Sequence, residues 1–84
     1  MASSTVRVKI IDPNKILFEG DADYVLVPGK KGSIGILPSH TPMFAELIAG
    51  DVYLAGSNEQ VFPIQSGIMK VRGDEVLILV GLGE

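Results

Sequence analysis

Turn-forming residues recur along this chain about every eight to twelve positions, with β-branched residues filling the intervals. That rhythm admits short strands and little else. No segment sustains an apolar period of about 3.6 residues between helix caps. An all-β sandwich or barrel is the expected class.

Val6-Arg7-Val8-Lys9-Ile10 alternates strictly, so its apolar residues share one face and its cations the other. Asp12-Pro13-Asn14 is a turn, because proline presets its dihedral and Asp and Asn can bond their own backbone. Ile16-Leu17-Phe18 begins the return and ends at Gly20. Tyr24-Val25-Leu26-Val27 is apolar on both faces and is expected to stop at Pro28-Gly29. Gly29-Lys30-Lys31-Gly32 is a tight hairpin connection with two cations at its tip, and these first elements read as a meander. Later runs are Met43 to Ile48, Val52-Tyr53-Leu54, Val61-Phe62-Pro63-Ile64 and Ile68-Met69-Lys70-Val71. Pro63 marks an edge strand or a bulge. Gly56 to Glu59 and Gly73-Asp74 are further turns. Val76-Leu77-Ile78-Leu79-Val80 is apolar throughout, so it buries both faces of a strand, or one of them against another protein.

The stretch from Gly32 to Pro42 carries the only histidine. Ile34 and Ile36 alternate with Ser33 and Gly35 as a half-buried strand does, and Pro38 ends that run. Ser39-His40-Thr41-Pro42 reads as a compact polar turn leading into a return strand. His40 suits a turn residue bonded to nearby backbone, or a contact for a partner. Catalysis lacks a nucleophile for it to activate, since there is no cysteine and no Gly-x-Ser-x-Gly elbow. A metal site lacks further ligands of its kind. An enzymatic reading requires Asp21, Asp23 and His40 to meet in one cleft; Asp21 and Asp23 otherwise fit an acidic surface.

Eighty-four residues make one domain, spanning 1–84 with an ordered core of about 6–80. The hydrophobic fraction is 46% and the mean hydropathy +0.36. For so small a volume, some of that apolar surface should face a partner. The net charge of −3 and the five aromatics without a basic stripe argue against nucleic acid. Absent cysteine removes disulfides and thiolate metal sites. No apolar run nears the roughly 20 residues of a membrane span, and the first five residues do not make a signal peptide. Direct membrane insertion is not expected, and the isolated chain is expected to be monomeric. The glycines form no phosphate-binding signature, since Gly29-Lys30-Lys31-Gly32 lacks the Walker spacing and leads into a strand. Neither a cofactor nor ATP binding is expected. Gly67-Ile68-Met69-Lys70-Val71 resembles the lysine-bearing turn of lipoyl and biotinyl domains, which gives a rival reading as a carrier domain modified at Lys70.

Taken together, the segments resemble the amino-terminal β-sandwich domain of the epsilon subunit of F-type ATP synthases, called delta in mitochondria. The resemblance is carried by Phe18-Glu19-Gly20, by Val25-Leu26-Val27-Pro28-Gly29, by Ala49-Gly50-Asp51-Val52 and by Ser66-Gly67-Ile68-Met69-Lys70-Val71. The most specific stretch is Gly32-Ser33-Ile34-Gly35-Ile36-Leu37-Pro38-Ser39-His40-Thr41-Pro42, similar to the family's Gly-x-(Leu/Phe)-Gly-(Ile/Val)-x-x-x-His-(Ala/Thr)-Pro. It implies a flattened antiparallel sandwich of about ten short strands. It also implies a non-catalytic central-stalk subunit that couples the gamma shaft to the c-ring, peripheral to the cytoplasmic face of the bacterial inner membrane.

On that resemblance, the c-ring side is expected at Lys30, Lys31, Gly32, Ser33 and His40, with the two loops together at one end of the sandwich. The gamma side is expected at Asp12, Phe44, Leu77 and Leu79. Many relatives carry an acidic residue where this chain has Ser33, which removes a charge from the expected ring contact. Most also continue beyond the position of Glu84 into a helical hairpin, so a short form is expected, and the hairpin's inhibitory and ATP-binding properties are not carried over.

Overall fold

The computed structural model of the chain describes residues 5–56 and 59–81, with residues 40 and 41 as backbone only. Nine strands account for most of the described residues: β1 Val6–Ile11, β2 Ile16–Ala22, β3 Tyr24–Gly29, β4 Gly32–Ile36, β5 His40–Leu47, β6 Gly50–Ala55, β7 Gln60–Ile64, β8 Gly67–Gly73 and β9 Glu75–Val80. They form one continuous sheet in the order β2-β1-β9-β8-β5-β3-β6-β7, with β4 paired to β3. The sheet curls so that β2-β1-β9-β8-β5 lies over β4-β3-β6-β7, giving a flattened sandwich of 41 × 24 × 17 Å.

Strand alternation places the core. Val6, Val8 and Ile10 of β1, Met69 and Val71 of β8, and Val76, Ile78 and Val80 of β9 all point inward and are buried. Val25 and Val27 of β3, Ile36 of β4, and Val52 and Leu54 of β6 meet them in a single apolar cluster. Among the described residues no polar or charged side chain is buried, so nothing inside requires a compensating partner. The open side of the curl, where edge strands β2 and β7 meet, is closed by Phe18 against Phe62, ring centroids 5.7 Å apart. Pro63 lies on the edge strand β7, where a missing N–H costs no ladder bond.

The opposite side is held differently. β5 pairs with β8 along its length but meets β3 at a single position, Gly29 opposite Leu47. Gly29 also closes the hairpin to β4 opposite Gly32. A Cβ on Gly29 would come within 2.5 Å of the Gly32 carbonyl oxygen and 2.7 Å of Ile34 Cδ1. The hairpin therefore has room for glycine only at this position.

Two local expectations are corrected. The meander is not formed: β2 pairs with β1, β3 pairs with β4, β5 and β6, and the chain crosses between the halves through Asp23. β3 does end within Pro28-Gly29 as expected, at Gly29, with the Pro28 carbonyl accepting from Ile48 N–H at 2.9 Å. The polar turn is shorter and earlier, at Pro38-Ser39, and the strand starting at His40 crosses to the other half to pair with β8 rather than returning to β4. A register shift between His40 and Met43 absorbs Pro42, which has no N–H to give.

Whether a residue points into the core, out to solvent or into a tight turn should decide the cost of substitution. Ile78→Ala is expected to lose about 2–5 kcal/mol, as fully buried large-to-small changes do. Phe44→Ala, on the solvent face, should stay within about 0.5 kcal/mol. Gly29→Ala should cost about 1–3 kcal/mol through overpacking against Gly32 and Ile34 in the hairpin. Urea unfolding of the three variants checks this order.

Candidate functional site: two outer sheet faces and two loop ends

The outer face of β2-β1-β9-β8-β5 is built by the alternate residues of the strands that fill the core. Strand pairing aligns them in rows. Glu19, Lys9, Leu77, Lys70 and Phe44 form one row across the five strands. Ile11, Leu79, Ile68 and Glu46 form the next. On the other side of the first row, Asp21, Arg7, Glu75 and Arg72 are aligned. The face thus grades from apolar near the β1–β2 turn to ionic near the β8–β9 turn. Phe44 is 71% exposed, and Leu77, Leu79, Ile68 and Ile11 are half-buried. Two shallow depressions of about 420 and 470 Å³ open on this face, one around Leu77 and Lys70, the other around Phe44 and Ile68.

Phe44, Leu77 and Leu79 are thereby brought together, with Asp12 just beyond the end of β1. Asp12 itself has a local task. Its Oδ1 accepts from Asn14 N–H at 2.7 Å and from Lys15 N–H at 2.8 Å, and its own N–H donates to the Lys15 carbonyl at 3.0 Å. The Asn14 and then the Lys15 bond hold its carboxyl below the usual range. Ile68 joins them without a signal of its own in the sequence, because it differs from buried Met69 only by the parity of its strand.

The two loops expected side by side are at opposite ends of β5. Lys30 N–H donates to the Glu46 carbonyl at 2.9 Å, and Lys30 Nζ lies 3.6 Å from Glu46 Oε1, which places the Lys30–Ser33 tip beside the end of β5. His40 opens β5 opposite Gly73. Six residue steps along the strand lead from His40 to Glu46, about 20 Å at roughly 3.3 Å per residue. The His40 side chain, expected to bond nearby backbone or to meet a partner, lies outside the described residues. The corner before it is held by Asp74: Ser39, in the left-handed region at φ 61°, donates its N–H to Asp74 Oδ1 at 2.6 Å.

A second outer face, unforeseen as a site, carries Leu26 opposite Tyr53 and Gly35, and Tyr53 opposite Val61. The Tyr24 and Tyr53 rings lie 6.2 Å apart. Its sequence signal was the two-faced apolar run at Tyr24 to Val27. Tyr53 donates its hydroxyl to Glu59 Oε2 at 2.6 Å, and this carboxylate pushes the phenol up to about 12.

Chemistry is not assembled on either face. Asp21 stands on β2 and His40 on β5, four strand spacings apart or about 19 Å. Among the described residues no cluster of three or more His, Asp or Glu side chains could hold a metal. Lys70 lies mid-strand in β8, not at a hairpin tip as a carrier lysine would. No helix of the described residues is long and apolar enough to cross a membrane.

A family model described as "ATP synthase, Delta/Epsilon chain, beta-sandwich domain" matches residues 5–82. The chain belongs to this family. It is 39% identical over 82 residues to the ATP synthase epsilon chain of Alkalihalophilus pseudofirmus, covering 96% of this chain and 62% of that one. It is 33% identical over 84 residues to the epsilon chain of Leptospira interrogans, covering 99% and 66%. The chain thus spans somewhat under two thirds of these relatives' length. Its fold superposes with a TM-score of 0.87 on a chain of the Euglena gracilis mitochondrial ATP synthase, at 13% identity and covering 95% and 52% of the two chains. A chain of the Tetrahymena thermophila mitochondrial ATP synthase central stalk and c-ring gives 0.76 at 16% identity, covering 95% and 66%. At such identities the likeness concerns the fold.

Two titrations follow for this delta/epsilon β-sandwich. The depressed Asp12 carboxyl contributes stability that is present above its unfolded value near 3.8 and is lost as pH falls through its lower folded value. The stability gap between wild type and Asp12→Ala should therefore narrow below about pH 4, as urea midpoints across pH would register. The Tyr53 bond acts at the other extreme, with its contribution complete below about 10 and lost as pH rises through about 12. Glu59→Gln should bring the phenol's ultraviolet titration back toward its ordinary value.

Proposed function

We propose that this domain is a non-catalytic element of the central stalk of an F-type ATP synthase, coupling the gamma shaft to the c-ring and lying peripheral to the membrane on the cytoplasmic side. The observation that carries the reading is the match of residues 5–82 to the delta/epsilon β-sandwich. The relatives bear the name ATP synthase epsilon chain, and one of the solved assemblies of like fold is a central stalk and c-ring. All 84 residues act as one domain in this reading.

The gamma side is assigned to the outer face holding Phe44, Leu77 and Leu79, next to Asp12. An open apolar centre with a charged rim suits a protein contact. The c-ring side is assigned to Lys30, Lys31, Gly32 and Ser33 at one end, with His40 at the other. Because β5 separates them by about 20 Å, a single partner reaching both must be as wide as a ring of subunits. Neither assignment involves a bound cofactor or a reacting group, and so the domain transmits torque through contacts alone.

In a reconstituted synthase, Lys31→Glu and His40→Ala are each expected to reduce ATP-driven proton pumping, while the isolated domain melts nearly unchanged. Surface changes of this kind move stability by less than about 0.5 kcal/mol. Unimpaired pumping with both substitutions together would show that the loops are ordinary turns. Melting of the domain by His40→Ala would assign that side chain to the corner instead of the ring.

A further inference from the structure

We infer that the outer face of β1-β9-β8 selects a partner surface whose apolar strip is flanked by carboxylates, with Lys9 and Lys70 as the reading cations. This rests on the proposed reading of that face as the gamma side and adds the chemistry that the partner must present.

The charge distribution points to it. The chain is acidic overall, at −3, yet four of its seven cations, Arg7, Lys9, Lys70 and Arg72, border one depression on this face. Arg7 is already engaged, 3.6 Å from Asp21 and 3.9 Å from Glu19. Lys9 and Lys70 have no carboxylate within ion-pair distance among the described residues. They stand on either side of Leu77, one in β1 and one in β8. Their separation is two strand spacings, about 10 Å. Directly along the strands lies the apolar row of Ile11, Leu79 and Ile68.

A partner covering Leu77 and Leu79 must also cover both lysines. Burying unpaired ammonium groups against an apolar or basic surface costs several kcal/mol per ion in a typical site. Carboxylates on the partner, about 10 Å apart across an apolar side chain, remove that penalty. They also steer association, since opposed fields raise on-rates most strongly at low salt. Basic surfaces and nucleic acid are opposed by Glu19 and Glu75 at the rim and by the overall negative charge.

The test measures binding of the full 84-residue chain to purified gamma subunit at about 0.02 and 0.5 M salt, spanning strong and weak screening. Three forms are compared: wild type, Phe44→Asp, and the double variant Lys9→Glu with Lys70→Glu. Urea unfolding checks that each is folded, and Lys9→Gln with Lys70→Gln separates lost charge from reversed charge. The expected result is that Phe44→Asp binds at neither salt. The charge reversal should slow association about tenfold or more at low salt, the glutamine pair should slow it less, and the differences should shrink at high salt. If Phe44→Asp loses binding but both lysine pairs associate like wild type, the face is the gamma side and the inference about carboxylates is wrong. Faster association by the charge reversal also overturns it, because the partner is then basic. If Phe44→Asp binds like wild type, the assignment of the face itself fails.

Discussion

One backbone pairing, Gly29 against Leu47, joins the two halves of the sheet along the side where β5 leaves β8 and meets β3. A continuous sheet of this width must curl or split to bury one face. Here it curls where pairing is thinnest. A side chain at Gly29 would collide with the Gly32 carbonyl, so the tight β3–β4 hairpin requires glycine at the same residue whose backbone meets Leu47 of β5. The far side needs no ladder, because Phe18 and Phe62 close it through apolar contact.

Once the halves are apposed, alternation does the rest. Every second residue of β1, β8 and β9 enters a core in which no polar side chain of the described residues is buried, and its neighbours must then form the outer face. In β9 those neighbours are Leu77 and Leu79. A strand apolar on both faces in so thin a sandwich leaves one apolar surface half-covered. The same parity that aligns these leucines also sets Lys9 and Lys70 on either side of Leu77, so the make-up of this outer face is a by-product of how the core is packed.

The ends of the strands are governed by local bonds instead. Asp12 organises its turn through two backbone N–H groups, Asp74 holds the left-handed Ser39, and Glu46 accompanies Lys30. These carboxylates account for part of the negative charge, and each has a local partner. They also keep the Lys30–Ser33 tip and the His40 corner in place at opposite ends of β5.

What the sequence by itself determined was local: strands and turns, the hairpins at Lys30-Lys31 and Gly73-Asp74, the Asp12 turn, and the edge position of Pro63. Turn chemistry and two-residue alternation act between near neighbours, so they can be read from the chain. The motif from Gly32 to Pro42 led to the right family, and the two-faced run at Val76 to Val80 announced an outer apolar surface. The tertiary structure alone decided that β1 lies parallel to β9, that β5 crosses to β8, and that no meander forms. It also decided that Phe44 joins Leu77 and Leu79 on one face, whereas His40 and Lys31 part company. Pairing between distant strands depends on which register buries the most apolar surface at once, a property of the whole chain that no short segment contains.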